Sequence, residues 1–287
     1  MLKLVENYEL IPESSWQKHI DELRKATASS TKEELKKTIV DSIKKLVPRK
    51  KFGIFFSGGV DSTLITFICK ILNADFVCYS VGLKNSPDVN WAKRAAEKLK
   101  LKLKVKEFEM NKLKEIFKKT ARIFRKPDVL SVGVASVVVA AAELAKNDEV
   151  DTFFSGLGSE EIFAGYQRHL EAEDRHEECW RGLRDVVWRR DLVRDSSVAK
   201  ALKIKLLVPF LDGNVIKSAM GIHVSKKINE KYKKIILREI AEELGLPKEF
   251  AWREKKAAQY GSGFDKAMEK IARMKGFRTK KEYVESF

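Results

Sequence analysis

Apolar residues along this chain fall into two kinds of run. Short stretches dense in Phe, Val, Leu and Cys occupy residues 51–56, 75–83, 103–108 and 150–154, and each is bounded by turn or charged residues. Such runs predict buried strands. Between them the apolar positions recur with a helical period. Residues 88–99 place Trp91, Ala95, Ala96 and Leu99 on one side, and 62–72, 112–124 and 132–146 behave likewise. Strands alternating with helices predict an α/β fold with a parallel sheet and helices on both faces. From about Glu161 onward the pattern is mostly helical, which predicts a helical C-terminal extension.

Residues 1–47 are polar and helical. The string from Ser29 to Glu34 reads as a helix start, Leu35, Ile39, Ile43 and Leu46 form the apolar face, and Pro48 stops it. The expected organisation is an N-terminal helical segment, 1–47, and one main domain, 48–287. The run 129–144 is apolar but contains Ser131, Gly133, Ser136 and Glu143, and it is short for a membrane span of ~20 residues. It predicts a buried helix and no membrane partner. Glu6 and Glu9 interrupt the first ten residues, so no leader peptide is expected.

Composition adds two points. Cys69, Cys78 and Cys179 form no C-x-x-C pair, and His19, His169, His176 and His223 form no metal-binding spacing, so neither a disulfide framework nor a zinc site is expected. That fits a cytoplasmic location. The formal net charge is +16, and the basic residues are spread over most helices. A nucleic-acid partner is one reading of that charge. A Lys/Glu-rich surface of the heat-adapted kind is the favoured one.

The candidate chemistry sits where strands end. Residues 55–64 read FFSGGVDSTL: a strand stops, two glycines follow, and a helix opens with an acid and hydroxyls. This places backbone N–H groups at a helix N-terminus, which is an anion site. Asp61 beside phosphates would repel them unless Mg²⁺ intervened. The bland alternative is a turn with Asp61 or Ser62 as a cap. Residues 153–169, FFSGLGSEEIFAGYQRH, repeat the pattern with Glu160 and Glu161 in the first helical turn. Taken alone, those acids fit equally well as partners of the helix dipole.

SGGVDS resembles the pyrophosphate loop, SGGxDS, of N-type ATP pyrophosphatases, which cleave ATP between the α and β phosphates. SGLGSEEIFAGY is similar to the asparagine synthetase signature. In order along the chain, YSVGL, DVNWAKRAAEKL, VPFLD, KIILRE and WREKKAAQYGSG also resemble segments of that family. The resemblance covers roughly residues 30–265 and implies the nucleotide α-hydrolase fold of the N-type ATP pyrophosphatases. It implies ATP and Mg²⁺ as cofactors. Ser57, Gly58, Gly59, Asp61 and Ser62 would hold pyrophosphate and magnesium, Val81 and Gly82 would lie near the adenine, and Ser155 and Gly156 near the ribose or α-phosphate. Glu160 would be the second metal-binding acid, where the family has Asp. Lys234 would sit near the phosphates, and Lys255 matches the family's catalytic lysine.

The chain departs from the family in its acceptor region. Leu157 stands where a Glu is tied to ammonia handling, Gly133 replaces an arginine suited to a substrate carboxylate, and Leu207 replaces the Arg before P-F-L-D. No glutaminase segment is expected ahead of the first helix. The resemblance therefore implies an AMP-forming ligase acting on a small-molecule acid and an amine or ammonia. A separate glutaminase subunit and a homodimer remain open as partners. The alternatives are a tRNA- or RNA-modifying ATP pyrophosphatase and a non-catalytic nucleotide-binding relative.

Overall fold

The computed structural model describes residues 5, 6, 9–254 and 256–287. A two-residue ladder joins Val5–Glu6 to Glu9–Leu10. Helices α1 (Glu13–Lys25) and α2 (Lys32–Leu46) follow, the second opened by a capping box between Thr31 and Glu34. The sheet is built from β1 (Phe52–Phe55), β2 (Phe76–Leu83), β3 (Leu103–Phe108), β4 (Thr152–Phe154) and β5 (Lys205–Leu207). Their spatial order is β3-β2-β1-β4-β5, and all neighbours are parallel. The first four strands match the expected runs. The fifth was not expected: it is three residues long with a lysine at its start, too short to show an alternation.

Period-two alternation sends side chains to opposite faces. Phe52, Ile54, Phe56, Cys78 and Phe154 join one core, while Val77, Tyr79, Val81 and Phe153 join the other. The first face is covered by α2, by α3 (Val60–Ile71) and by α4 (Pro87–Leu99). The second is covered by α5 (Leu113–Ala121) and α6 (Val129–Ala145). Each fully buried Phe on these strands contributes roughly 1.5–3 kcal/mol of burial. By length and composition the helical span Val129–Asp148, which contains α6, could cross a membrane. In this fold it instead places Val132, Ala135, Ser136 and Val139 in the interior, and Asp128 caps its start by accepting from the Ser131 N–H.

After β4 the chain is helical apart from β5. The short α7 (Ser159–Ile162) and α8 (Gln167–Glu171) lead into α9 (Arg175–Arg181), which runs through a π-helical stretch (Gly182–Leu192) into α10 (Val193–Leu202). Then come α11 (Gly213–Met220), α12 (Ile235–Glu243), α13 (Lys248–Ala251), α14 (Ala258–Gly261), α15 (Phe264–Met274) and α16 (Lys280–Glu285). The N-terminal helices share the main core: Trp16, Ile20, Leu35, Ile39 and Ile43 are buried in it, and the Trp16 indole donates to the Leu183 carbonyl at 3.0 Å.

Candidate active site

In an open sheet of order 3-2-1-4-5 the chain reverses its winding between β1 and β4, and ligands bind at the carboxyl ends of those strands. Both glycine-rich loops lie there. The first follows β1, and its helix α3 starts at Val60, two residues earlier than expected. Its N-cap is Gly59, which has no side chain to cap it with. Gly59 enters with extended backbone, and its carbonyl accepts from the Thr63 N–H at 2.9 Å and the Thr63 hydroxyl at 2.8 Å. The bland reading of Asp61 or Ser62 as the cap is therefore excluded, because both are inside the helix. Gly58 has φ +69, and a Cβ there would lie 3.0 Å from the Trp91 carbonyl carbon, so the loop presses its backbone onto α4.

The second loop approaches the first at Gly156. A Cβ there would lie 3.0 Å from the Asp61 Cβ. Ser159, Glu160 and Glu161 then open α7. Between the two loops stands Lys234. Its Nζ donates to both Asp61 oxygens at 2.9 and 2.8 Å, to the Ser159 hydroxyl at 3.1 Å and to Glu160 Oε1 at 2.7 Å. Lys234 precedes α12 with φ 58, a left-handed conformation that costs a non-glycine residue about 1–2 kcal/mol. Burial opposes its charge, but Asp61 and Glu160 outweigh that and hold its pKa above the ordinary lysine value.

One cavity of about 320 Å³ joins these parts. It is lined by Ser57, Asp61, Ser62, Val81, Ser155, Gly156 and Glu160 among the expected residues. Gly82 is not among the lining residues: a Cβ there would meet the Val89 side chain at 2.9 Å and the carbonyl of Ser262, which does line the cavity, at 3.0 Å. Lys255 lies outside the described residues. Its neighbour Arg253 is buried, donating at 2.5 Å to both the Ser57 carbonyl and Asp88, and so ties the first loop to α4.

The residues fit a divalent cation. Asp61 and Glu160 offer oxygens to one shared ammonium, so they converge on a single cation-sized position. Among the described residues no group of three His, Cys, Asp or Glu side chains forms a metal cage. Mg²⁺ commonly takes one or two carboxylates and completes its shell with phosphates and water.

A charged wall faces the loops, and the sequence did not reveal it. Tyr166, Arg190, Asp191, Arg194 and Asp195 all line the cavity. Arg190 donates to the Tyr166 hydroxyl at 2.8 Å and to Asp191 at 2.7 Å, while Arg194 holds Asp191 at 2.8 Å and Asp195 at 2.7 Å. Glu161 lies beneath them, 3.4 Å from Arg168 and 3.6 Å from Arg190. Burial, with Asp191 and Glu160 nearby, pushes its carboxyl up to about 8. The available signal was the charge pattern R-R-D-x-x-R-D in a stretch that otherwise reads as a surface helix.

Residues 34–200 and 171–281 match the asparagine synthase family. A protein of Methanocaldococcus jannaschii, provisionally named a glutamine-hydrolyzing asparagine synthetase, is 32% identical over 297 residues, covering 90% of this chain and 54% of that protein. Asparagine synthetase B of Escherichia coli is 29% identical over 253 residues, covering 81% and 45%. The chain spans about half the length of the curated relatives it matches. Among solved structures, NMN synthetase from Francisella tularensis aligns over 88% of this chain and 91% of its own, at 14% identity and a TM-score of 0.44. NH3-dependent NAD synthetase from Campylobacter jejuni aligns over 71% and 100%, at 14% identity and a TM-score of 0.35.

Proposed function

The chain belongs to the asparagine synthase family, and from that premise we propose that it is an ATP-dependent, AMP-forming carbon–nitrogen ligase. The observation that carries the proposal is the meeting of two glycine-rich strand-end loops around Asp61, Glu160 and Lys234. A polyphosphate laid on the α3 N-terminus receives the loop N–H groups and the hydroxyls of Ser57 and Ser62. Asp61 and Glu160 would hold Mg²⁺, which would supply charge neutralisation for the polyphosphate. Lys234, buried between the two loops, is placed to donate to a phosphate oxygen. Arg253 fixes the loop carbonyl at Ser57, so its backbone donors keep their aim.

The acid acceptor enters from the charged wall. A carboxylate oxygen attacks the α-phosphorus, the bond to the bridging oxygen breaks, and pyrophosphate leaves. An amine or ammonia then attacks the acyl carbon and expels AMP. Arg190, 27% exposed against 8% for Arg194, is the more accessible cation of that wall and the best placed to hold a second anionic group of the acid. Lys255, carried from the family motif, stabilises charge on the α-phosphate. With Leu157 in place of a carboxylate, the nitrogen nucleophile is not assisted at that position. Ammonia from a separate glutaminase subunit and a more basic amine both remain as nitrogen sources. The test is to incubate the protein with ATP, Mg²⁺ and a panel of small acids, with and without ammonia, and to identify the nucleotide formed. AMP and pyrophosphate that depend on an acid support the reading. Sustained, acid-dependent ADP and phosphate would overturn it.

A further inference from the structure

We infer that the carboxamide of Gln259 reads the base of the bound nucleotide and selects adenine. This rests on the nucleotide reading above. Gln259 is 4% exposed and lines the cavity, yet its Oε1 is buried without a hydrogen-bond partner among the described residues. Buried amide oxygens are rarely left unmet in native structures. The other two glutamines of the chain are engaged: Gln17 donates to Asp185 at 2.9 Å, and Gln167 accepts from Lys233 at 2.8 Å.

Its position fits a base rather than a phosphate or an acceptor acid. The Leu83 N–H donates to the Ser262 carbonyl at 2.8 Å, which fixes the end of α14 on the carboxyl end of β2. On its other side Gln259 lies against Gly133 of α6, where a Cβ would sit 3.5 Å from the Gln259 Cβ. Leu130 and Val134, on the turns flanking Gly133, line the same cavity, as does Val81 at the end of β2. The result is an apolar slot with one polar edge. The polyphosphate loops are on one side of it, and the charged wall of Tyr166 to Asp195 does not suit a flat, neutral ring. Gly133 thus takes a second meaning: it leaves room beside the carboxamide.

A carboxamide offers an acceptor and a donor side by side. Adenine presents its amino group beside a ring nitrogen and matches that pair in two hydrogen bonds, whereas the O6/N7 edge of guanine presents two acceptors.

The experiment is equilibrium binding of the whole chain, with Mg²⁺, to ATP, to GTP and to purine riboside triphosphate, which lacks the 6-amino group. The wild type should prefer ATP over purine riboside triphosphate by roughly tenfold. Gln259→Leu should lose that preference, because it removes two hydrogen bonds from ATP but only one from purine riboside triphosphate. Gln259→Asn keeps the amide but withdraws it by one methylene, and should lose the preference too; it serves if the Leu variant fails to fold. A preference for ATP that survives in the folded variants overturns the inference, as does tight wild-type binding of GTP. If the wild type binds triphosphates without regard to base, only this inference falls. If it binds none, the nucleotide reading itself falls.

Discussion

Lys227 is fully buried, and among the described residues its ammonium meets only the Met220 thioether, at 3.7 Å from Nζ. Burial lowers its pKa from 10.5 to about 8, with Cys179 the one group pulling the other way. The lysine is therefore less protonated folded than unfolded between those two values. Below pH 8 both states carry the proton and the folded state bears the full cost of burying it. Above pH 8 the cost fades as the folded lysine gives up its proton, and it is nearly gone at 10.5. The fall from 10.5 to about 8 makes the cost about 3 kcal/mol at pH 7. Lys227→Met keeps the length and removes the charge. It should stabilise the protein by up to that amount, or roughly 6 °C in Tm. The Lys227 carbonyl accepts from the Ile235 N–H at 2.8 Å, closing the loop that presents Lys234, so the backbone at Lys227 must stay in place. The assay is urea unfolding of both proteins from pH 7 to 10.5. The gain should shrink steadily above pH 8. A destabilised variant, or a gain that does not change with pH, would refute the reasoning.

Asp61→Asn keeps the shape of the site but removes one of the two charges that face Lys234, so turnover at limiting Mg²⁺ should collapse; unchanged turnover would reduce Asp61 to a helix-start residue. Lys255→Ala should lose at least about a hundredfold in kcat with little change in ATP affinity, the usual scale for one preorganised donor, while Lys256→Ala stays within a few-fold; equal small effects would remove Lys255 from the chemistry. Binding to tRNA should be weak and steeply salt-dependent, as for nonspecific phosphate contacts, and selective sub-micromolar binding at ~0.15 M salt would favour the RNA-modifying alternative.

The first glycine-rich loop was legible as a strand-to-helix turn because its glycines, hydroxyls and acid are contiguous and follow an apolar strand. Its helix start was misplaced by two residues because Gly59 leads in through its backbone, without a side-chain cap to read. The convergence of Asp61, Glu160 and Lys234 joins positions as far as 173 residues apart, and no local pattern encodes that. Arg253 carries no local sign of burial in the sequence. Only the fold shows it buried against Asp88 and the Ser57 carbonyl. The charged wall was missed for a different reason. Arg190, Asp191, Arg194 and Asp195 follow the spacing of an ordinary solvated face. It is the π-helical stretch running into α10, packed beside α6, that turns them towards a cavity. β5 escaped because three residues carry too little period to distinguish strand from loop.

The central claim is that a carboxylate oxygen of the acceptor attacks the α-phosphorus of ATP. With an acid that supports turnover, labelled with ¹⁸O in its carboxyl group, ³¹P NMR of the products locates the label. The account predicts one ¹⁸O in AMP and none in pyrophosphate. Label in inorganic phosphate, or unlabelled AMP from the same turnover, would contradict it.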